Sequence, residues 1–396
     1  MSDPSSVLVV GASAAGLSTA EALRRNGYRG RLTLLGAESH APYDRPPLSK
    51  QVLAGEWVPE RTRLRPEQAL SELDAEFLLG DPAVGLDATQ RVVRTASGRS
   101  LCADTVVVAT GVTPRRLSVG AGLSGVHVLR TLDDTLALRA ELSRASRLIV
   151  LGEGVLGSEV AATARGLGLS VTMIGPQPAP LASRLGPLVS GKLAELHSEH
   201  GVRLVLGHLV EQLVGEHGRV TGVRLDSGQL LSADVVVMAV GAEPSTAWLR
   251  DSDLTLDDGV VCDAHCRAAP GIYAVGDVAR WYHPALGTTL RLENRTNATE
   301  QAQVVAANIL GADRTYAPVP YFWTDQFDTK VQVYGRPAAD DDATVVEGDP
   351  TGRRFVVRFE RAGRVTGIIG WNMPKQARLR RREVAKTFGA AALPTA

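Results

Sequence analysis

A short apolar run that ends in glycine and leads into a helix of small residues occurs twice in this chain, at residues 7–25 and again at 148–167. Residues 7–10 (VLVV) precede Gly11, and residues 148–151 (LIVL) precede Gly152. Alanine- and leucine-rich stretches with helical character follow at 17–25 and 160–167, and second apolar runs follow those at 31–35 and 170–174. Strand, helix and parallel strand in that order make the βαβ unit of a doubly wound sheet. Two widely separated units predict two nucleotide-binding domains, not the short-period stacking of a solenoid.

Two more runs, 105–111 (TVVVATG) and 235–241 (VVVMAVG), end alike. Each is expected to close one sheet, with the chain crossing to the other domain just beyond. Residues 272–277 (IYAVGD) add a strand that ends in a glycine and a carboxylate. Further on, residues 331–334, 345–346 and 354–359 alternate with period two, which predicts an antiparallel sheet with Gly335, Gly348 and Gly352 at its turns. A basic segment, 375–386, and a frayed tail end the chain. The expected fold is α/β, with two Rossmann-like dinucleotide-binding domains and a C-terminal α+β domain. The first domain would comprise 1–112 and 244–316, the inserted second 113–243, and the last 317–396.

The glycines state what the two units bind. In Gly11-Ala12-Ser13-Ala14-Ala15-Gly16 the first glycine makes the tight turn, and the last lets helix and strand pack closely. Ser13 replaces the middle glycine, which normally lets backbone N–H groups approach a pyrophosphate; serine is small enough to be tolerated there. Glu38 stands where a carboxylate should bind the adenosine ribose. Gly152-Glu153-Gly154-Val155-Leu156-Gly157 is a complete second motif. Either one alone also fits an ordinary strand–turn–helix. Two in one chain call for two dinucleotides, and the usual pair is FAD with a nicotinamide coenzyme. The second unit carries Gly175-Pro176-Gln177 where an NAD-selective acid normally sits, and Arg184 comes later and could serve either nucleotide. NADH against NADPH stays open.

Composition excludes other classes. Lysine plus arginine equals aspartate plus glutamate, 43 of each, so no global field draws nucleic acid or an anionic membrane. No apolar run approaches a spanning length, and the three cysteines, Cys102, Cys262 and Cys266, are too few and too scattered for a disulfide framework. A cytoplasmic protein is expected. His40, His127, His197 and His200 show no ligand spacing joined to acids, so no bound metal is expected.

Residues 42–50 (PYDRPPLSK) form a loop stiffened by prolines at 42, 46 and 47, able to hold the Lys50 cation still; on this segment alone a solvated lysine fits as well. With this loop, the chain resembles the ferredoxin reductases of bacterial cytochrome P450 and ring-dioxygenase systems, of the putidaredoxin reductase type, a branch of the glutathione-reductase-like flavoproteins. The similarity runs in order through GASAAG, PYDRPPLSK, VVVATG, GEGVLGSE, GIYAVGDVARW, RLENRTNATEQ and PYFWTDQ. It implies FAD, NADH or NADPH as donor, and an iron–sulfur ferredoxin as acceptor. It also implies that Lys50 lies near flavin N5 and pairs with Glu159. Asp277 would bind the ribityl chain, and Arg45, Pro47, Val84, Ala109, Thr110, Gly111, Arg130 and Gly276 would lie against FAD. The stretch Glu293, Asn294, Arg295, Thr296, Asn297 would run beneath the isoalloxazine, with Trp323 closing one face and Gly241 bordering the site. Thr296 and Asn297 are the cap candidates of a helix continuing through Leu310.

No cysteine lies in residues 39–45, and Cys262 and Cys266 have the wrong spacing for a redox pair, so electrons are expected to leave the flavin without a thiol relay. Arg378, Arg380, Arg381 and Arg382 fit either a solvated helix face or a cationic patch for an acidic ferredoxin. Small-molecule acceptors and a non-enzymatic, redox-gated role are the rival readings, and the chain could be a monomer or a weak dimer.

Overall fold

The protein is represented by a computed structural model, which describes residues 3–119 and 122–389. The tail expected to fray beyond the basic segment lies outside the described residues from residue 390 onward.

Ser6–Val10 sits mid-sheet between Arg31–Gly36 and Thr105–Val108, parallel to both, with Val9 beside Leu34 on one side and Val107 on the other. Glu76–Leu79 and Ile272–Ala274 extend the parallel sheet on either side, and Arg267–Ala269 adds an antiparallel edge. Every residue of Ser6–Val10 is buried, which explains an unbroken apolar run where a one-sided strand would alternate. The helices Ala14–Arg25 and Arg295–Ile309 pack together on this sheet, so a late segment returns to complete the first unit.

The second sheet has the order Arg203–Leu206, Ser170–Gly175, Arg147–Leu151, Val235–Met238, Val126–His127, all parallel. The chain enters and leaves it through one small ribbon. Val112–Pro114 pairs antiparallel with Ala242–Pro244, and Thr113 faces Glu243. The two crossings expected after residues 111 and 241 therefore lie side by side.

The C-terminal part is a five-stranded antiparallel sheet in the order Tyr321–Gln326, Thr329–Gly335, Arg364–Trp371, Arg354–Arg361, Asp342–Asp349. One face packs Val331, Phe355 and Ile369 against Leu185, Val189 and Leu193 of the helix Ala182–Glu199. The other face takes Ala377, Val384 and Phe388 of the helix Pro374–Phe388. Gly348 departs from expectation: it lies within Asp342–Asp349, and the turn comes later, around Gly352. Among the described residues no helix is long and apolar enough to cross a membrane.

Candidate functional site

The two fingerprint loops have almost the same local geometry. Gly11 has φ +120, and a Cβ there would stand 2.1 Å from the Ala109 carbonyl oxygen; Gly152 has φ +108, and its Cβ would stand 2.3 Å from the Ala239 oxygen. No L side chain fits either place. Gly16 and Gly157 are pressed just as closely on the carbonyls of Gly11 and Gly152, so each helix starts directly against its strand. Ser13 and Gly154 cap the two helices without any side-chain bond, and the space in front of Gly154 is open. Both helices thus point unpaired N–H groups and a positive dipole end at free volume, the arrangement that binds phosphates.

A cavity of about 430 Å³ lies between the two sheets and the C-terminal strands. Of the residues named from sequence, Ser13, Ala14, Ala15, Arg45, Lys50, Ala109, Gly111 and Arg130 line it. So do Gly154, Val155, Leu156, Glu159, Arg184, Gly241, Asp277, Glu293, Arg295 and Trp323. Residues more than 300 positions apart meet in this one space.

Lys50 extends from a wide helical turn, Leu48–Val52, that begins at Pro47. Its Nζ donates to Glu159 Oε2 at 2.7 Å, and the two side chains are only 13% and 6% exposed. Ser49 Oγ donates to the same oxygen at 2.6 Å, and Thr324 Oγ1 donates to Oε1 at 2.9 Å. Three parts of the fold hold this carboxylate: the proline loop, the helix Val155–Gly166 and the strand Tyr321–Gln326. A buried ion pair is stable only when its remaining lone pairs are satisfied, and both oxygens here are.

A second polar chain lies opposite. Arg130 meets Asp277 at 3.1 Å, and Arg45 donates to the Arg130 carbonyl at 2.6 Å and to Glu38 at 2.7 Å. Tyr43 donates to Glu38 and accepts from the Leu132 N–H at 3.0 Å, and burial pushes its hydroxyl well above the usual range. Glu38 therefore stands after Arg31–Gly36 as expected, with Tyr43 and Arg45 orienting it. Asp44, not named from sequence, lines the cavity and accepts from Arg295 Nε at 2.6 Å.

Other positions differ from expectation. The helix Arg295–Ile309 is capped by Asn294, whose side chain accepts from the Asn297 N–H at 3.0 Å, so Thr296 and Asn297 are first-turn residues and not caps. The Asn297 side chain turns inward: it donates to the Leu292 carbonyl at 3.3 Å and accepts from Tyr316 at 3.0 Å. Asn294 and Arg295 line the cavity while Thr296 and Asn297 do not. Thr110 donates to the Ser245 carbonyl at 2.9 Å, which ties it to the crossing ribbon. Gly276 donates to Gln301 at 2.8 Å and is packed against Ala15. Val84 lies on Ala83–Asp87, is 54% exposed and is outside the cavity lining. Ser49 and Thr324 carried no local signal, because their meaning depends on Glu159, more than a hundred positions from each.

None of the three cysteines lines the cavity. Burial pushes the Cys266 thiol up to about 12 and raises Cys262 as well, leaving both as unreactive thiols. Among the described residues no three His, Cys, Asp or Glu side chains are clustered to hold a metal.

Two nucleotide cradles facing one cavity, with a buried ammonium–carboxylate pair between them, define a two-dinucleotide flavoprotein reductase. The model of the pyridine nucleotide-disulphide oxidoreductases matches residues 5–302, and that of the reductase C-terminal domain matches 321–392. The chain belongs to the pyridine nucleotide-disulphide oxidoreductase family. It is 35% identical to rhodocoxin reductase of Rhodococcus erythropolis over 96% of this chain and 89% of that protein. It is 38% identical to a ferredoxin–NAD(P)+ reductase of Sphingomonas sp, over 93% and 90%. Among solved structures, the covalent putidaredoxin reductase–putidaredoxin complex superposes with a TM-score of 0.92 at 31% identity, covering 98% of this chain and 97% of that one.

Proposed function

We propose that this protein is an NAD(P)H-dependent ferredoxin reductase, with FAD in the first cradle, the nicotinamide nucleotide in the second, and an iron–sulfur ferredoxin as acceptor. The observation that carries the reading is the Lys50–Glu159 pair, 2.7 Å apart, at the cavity both cradles share.

The residues present fit FAD. The close-packed glycines at 11 and 16 leave the N–H groups of Ala14 and Ala15 facing the cavity for a pyrophosphate, and Glu38, which follows the strand Arg31–Gly36 and lies outside the cavity lining, is the candidate carboxylate for a ribose diol. Asp277, Arg45 and Arg130 supply polar partners along the cavity wall. Bound FAD supplies the chemistry that joins a two-electron hydride donor to a one-electron acceptor. Lys50 holds a positive charge in the cavity, and Glu159 fixes its place and balances it where the surroundings are poorly polarisable. The N-terminus of Arg295–Ile309, with Asn294 and Arg295 on the lining, adds positive potential without a mobile side chain. Trp323 and Phe322 close the cavity from the C-terminal sheet and help exclude water.

The domains divide at the crossing ribbon: 1–112 with 244–316 for FAD, 113–243 for the nicotinamide nucleotide, and 317–396 as the covering domain. The acceptor would serve a cytochrome P450 or an oxygenase, and the compartment would be the cytoplasm. Anaerobic titration of the yellow protein with NADH and NADPH tests flavin and donor together. Cytochrome c reduction with and without an added [2Fe–2S] ferredoxin tests the acceptor. Strict dependence on the ferredoxin is expected; fast turnover without it would replace this reading with a small-molecule acceptor.

A further inference from the structure

The second fingerprint departs from the usual pattern at two positions, and the structure brings them together. Gly175 ends the strand Ser170–Gly175, at the place from which an acidic side chain normally reaches the adenosine ribose. Glu153 is the second residue of the fingerprint, a position with no such duty in the usual pattern. A Cβ built on Gly175 would stand 1.5 Å from Glu153 Oε2 and 2.3 Å from its carboxyl carbon. In this arrangement the Glu153 carboxylate occupies the space in which a side chain at 175 would begin.

That carboxylate is placed and not loose. The Gln177 N–H donates to Oε1 at 3.2 Å, the Glu153 carbonyl accepts from the Leu181 N–H at 3.0 Å, and the residue is only 7% exposed. No protein group among the described residues donates to Oε2. Oε2 is not enclosed, so it can accept from a ligand hydroxyl in place of water. The open space beside it, in front of Gly154, is where the helix N-terminus receives a pyrophosphate.

We propose that Glu153 reads the adenosine ribose of the nicotinamide nucleotide in place of the missing acid at 175, and so makes NADH the preferred donor. The proposal rests on the reading of the second cradle given above. A ribose diol would donate to Oε2 in a charge-assisted bond. A 2′-phosphate at the same spot would meet a fixed negative charge. Residues 176–183 (PQPAPLAS) offer it no cation, and the nearest following one, Arg184, lies over the Phe322 ring at 5.8 Å and lines the shared cavity.

The test is calorimetric titration of the FAD-loaded protein with ADP-ribose and with its 2′-phosphorylated form, which carry the adenosine half of each nucleotide and no reactive ring. Wild type should bind ADP-ribose roughly tenfold or more tightly than the 2′-phosphate. Glu153→Gln keeps an acceptor for Gln177 and removes the charge, so it should compress that ratio, weakening ADP-ribose and strengthening the 2′-phosphate. The double variant Glu153→Gly with Gly175→Glu returns the acid to the strand and should restore the ratio. In Glu153→Gln the steady-state KM for NADH should rise and that for NADPH should fall. A wild type that binds the two ligands equally or prefers the phosphate overturns the proposal, as does a Glu153→Gln protein with an unchanged ratio. If the double variant fails to retain FAD, the isosteric single variant decides alone. Failure of both nucleotides to reduce the flavin would count against the proposed function instead, because ADP-ribose binding is measured separately.

Discussion

Lys50 and Glu159 are 109 positions apart and meet at 2.7 Å, each supplied by a different nucleotide-binding unit. The pair exists only when the proline loop of the first unit is docked on the fingerprint helix of the second. It therefore reports the relative placement of the two cradles as well as the charge between them. Lys50 is the single lysine on the cavity lining among the described residues.

Replacing Lys50 with methionine keeps the volume of the side chain and removes the charge. Glu159 keeps its bonds from Ser49 and Thr324, so the fold and the bound FAD are expected to survive. Anaerobic reduction by NADH, followed by stopped-flow absorbance, should slow by roughly tenfold or more, about 1.4 kcal/mol of barrier. An unchanged rate would remove Lys50 from the mechanism.

Gly11→Ala should give a colourless protein. The new methyl group would stand 2.1 Å from the Ala109 carbonyl oxygen in a backbone with φ +120, so the turn that aims the first helix at the pyrophosphate cannot form. The flavin-to-protein absorbance ratio after purification measures this directly. Full flavin content would refute the assigned role of the turn.

His197 is fully buried between the Ala182–Glu199 helix and the C-terminal sheet, facing Gln326 at 2.8 Å and the Phe327 ring. Burial lowers its pKa from the usual 6.5 to about 4. The folded protein thus binds fewer protons than the unfolded chain between these values. Stability is complete above pH 6.5 and is lost as pH falls toward 4, by up to about 3 kcal/mol over the window. Urea midpoints measured at pH 7 and pH 5 should differ accordingly, and the difference should shrink in His197→Leu.

The helix Pro374–Phe388 separates its arginines by role. Arg380 bonds Glu383 at 3.0 Å and Glu347 at 3.4 Å, while Lys375, Arg378, Arg382 and Lys386 are exposed at helical spacing along one stripe. Charge reversal at Arg378 and Arg382 should lower the rate of ferredoxin reduction at low ionic strength and flatten its salt dependence, with NADH oxidation by ferricyanide unaffected. Reversal of Arg380 should cost stability instead. An unaltered salt dependence in the Arg378/Arg382 variant would exclude the stripe from docking.

Much of the framework was legible locally. A glycine that must take a positive φ after a buried strand, and another pressed against it one helical turn later, can be read from neighbours alone, and both fingerprint loops came out nearly alike for that reason. The crossing points after residues 111 and 241 and the period-two strands of the last domain were visible in the same way. The helix cap was not: Asn294, Thr296 and Asn297 are all competent cap residues, and burial of the Asn297 side chain against Tyr316 left the role to Asn294. Val84 had no local reason to be in the site, and its strand leaves it outside the cavity lining.

What the amino-acid order determined by itself was the pair of strand–turn–helix units, because steric limits on the backbone act between adjacent residues. Tertiary structure decided which distant groups share a low-dielectric space: Thr324 closing the Glu159 carboxylate from 165 positions away, and Glu153 filling the volume that Gly175 leaves empty. Those contacts follow from how whole surfaces dock, and no periodicity along the chain records that.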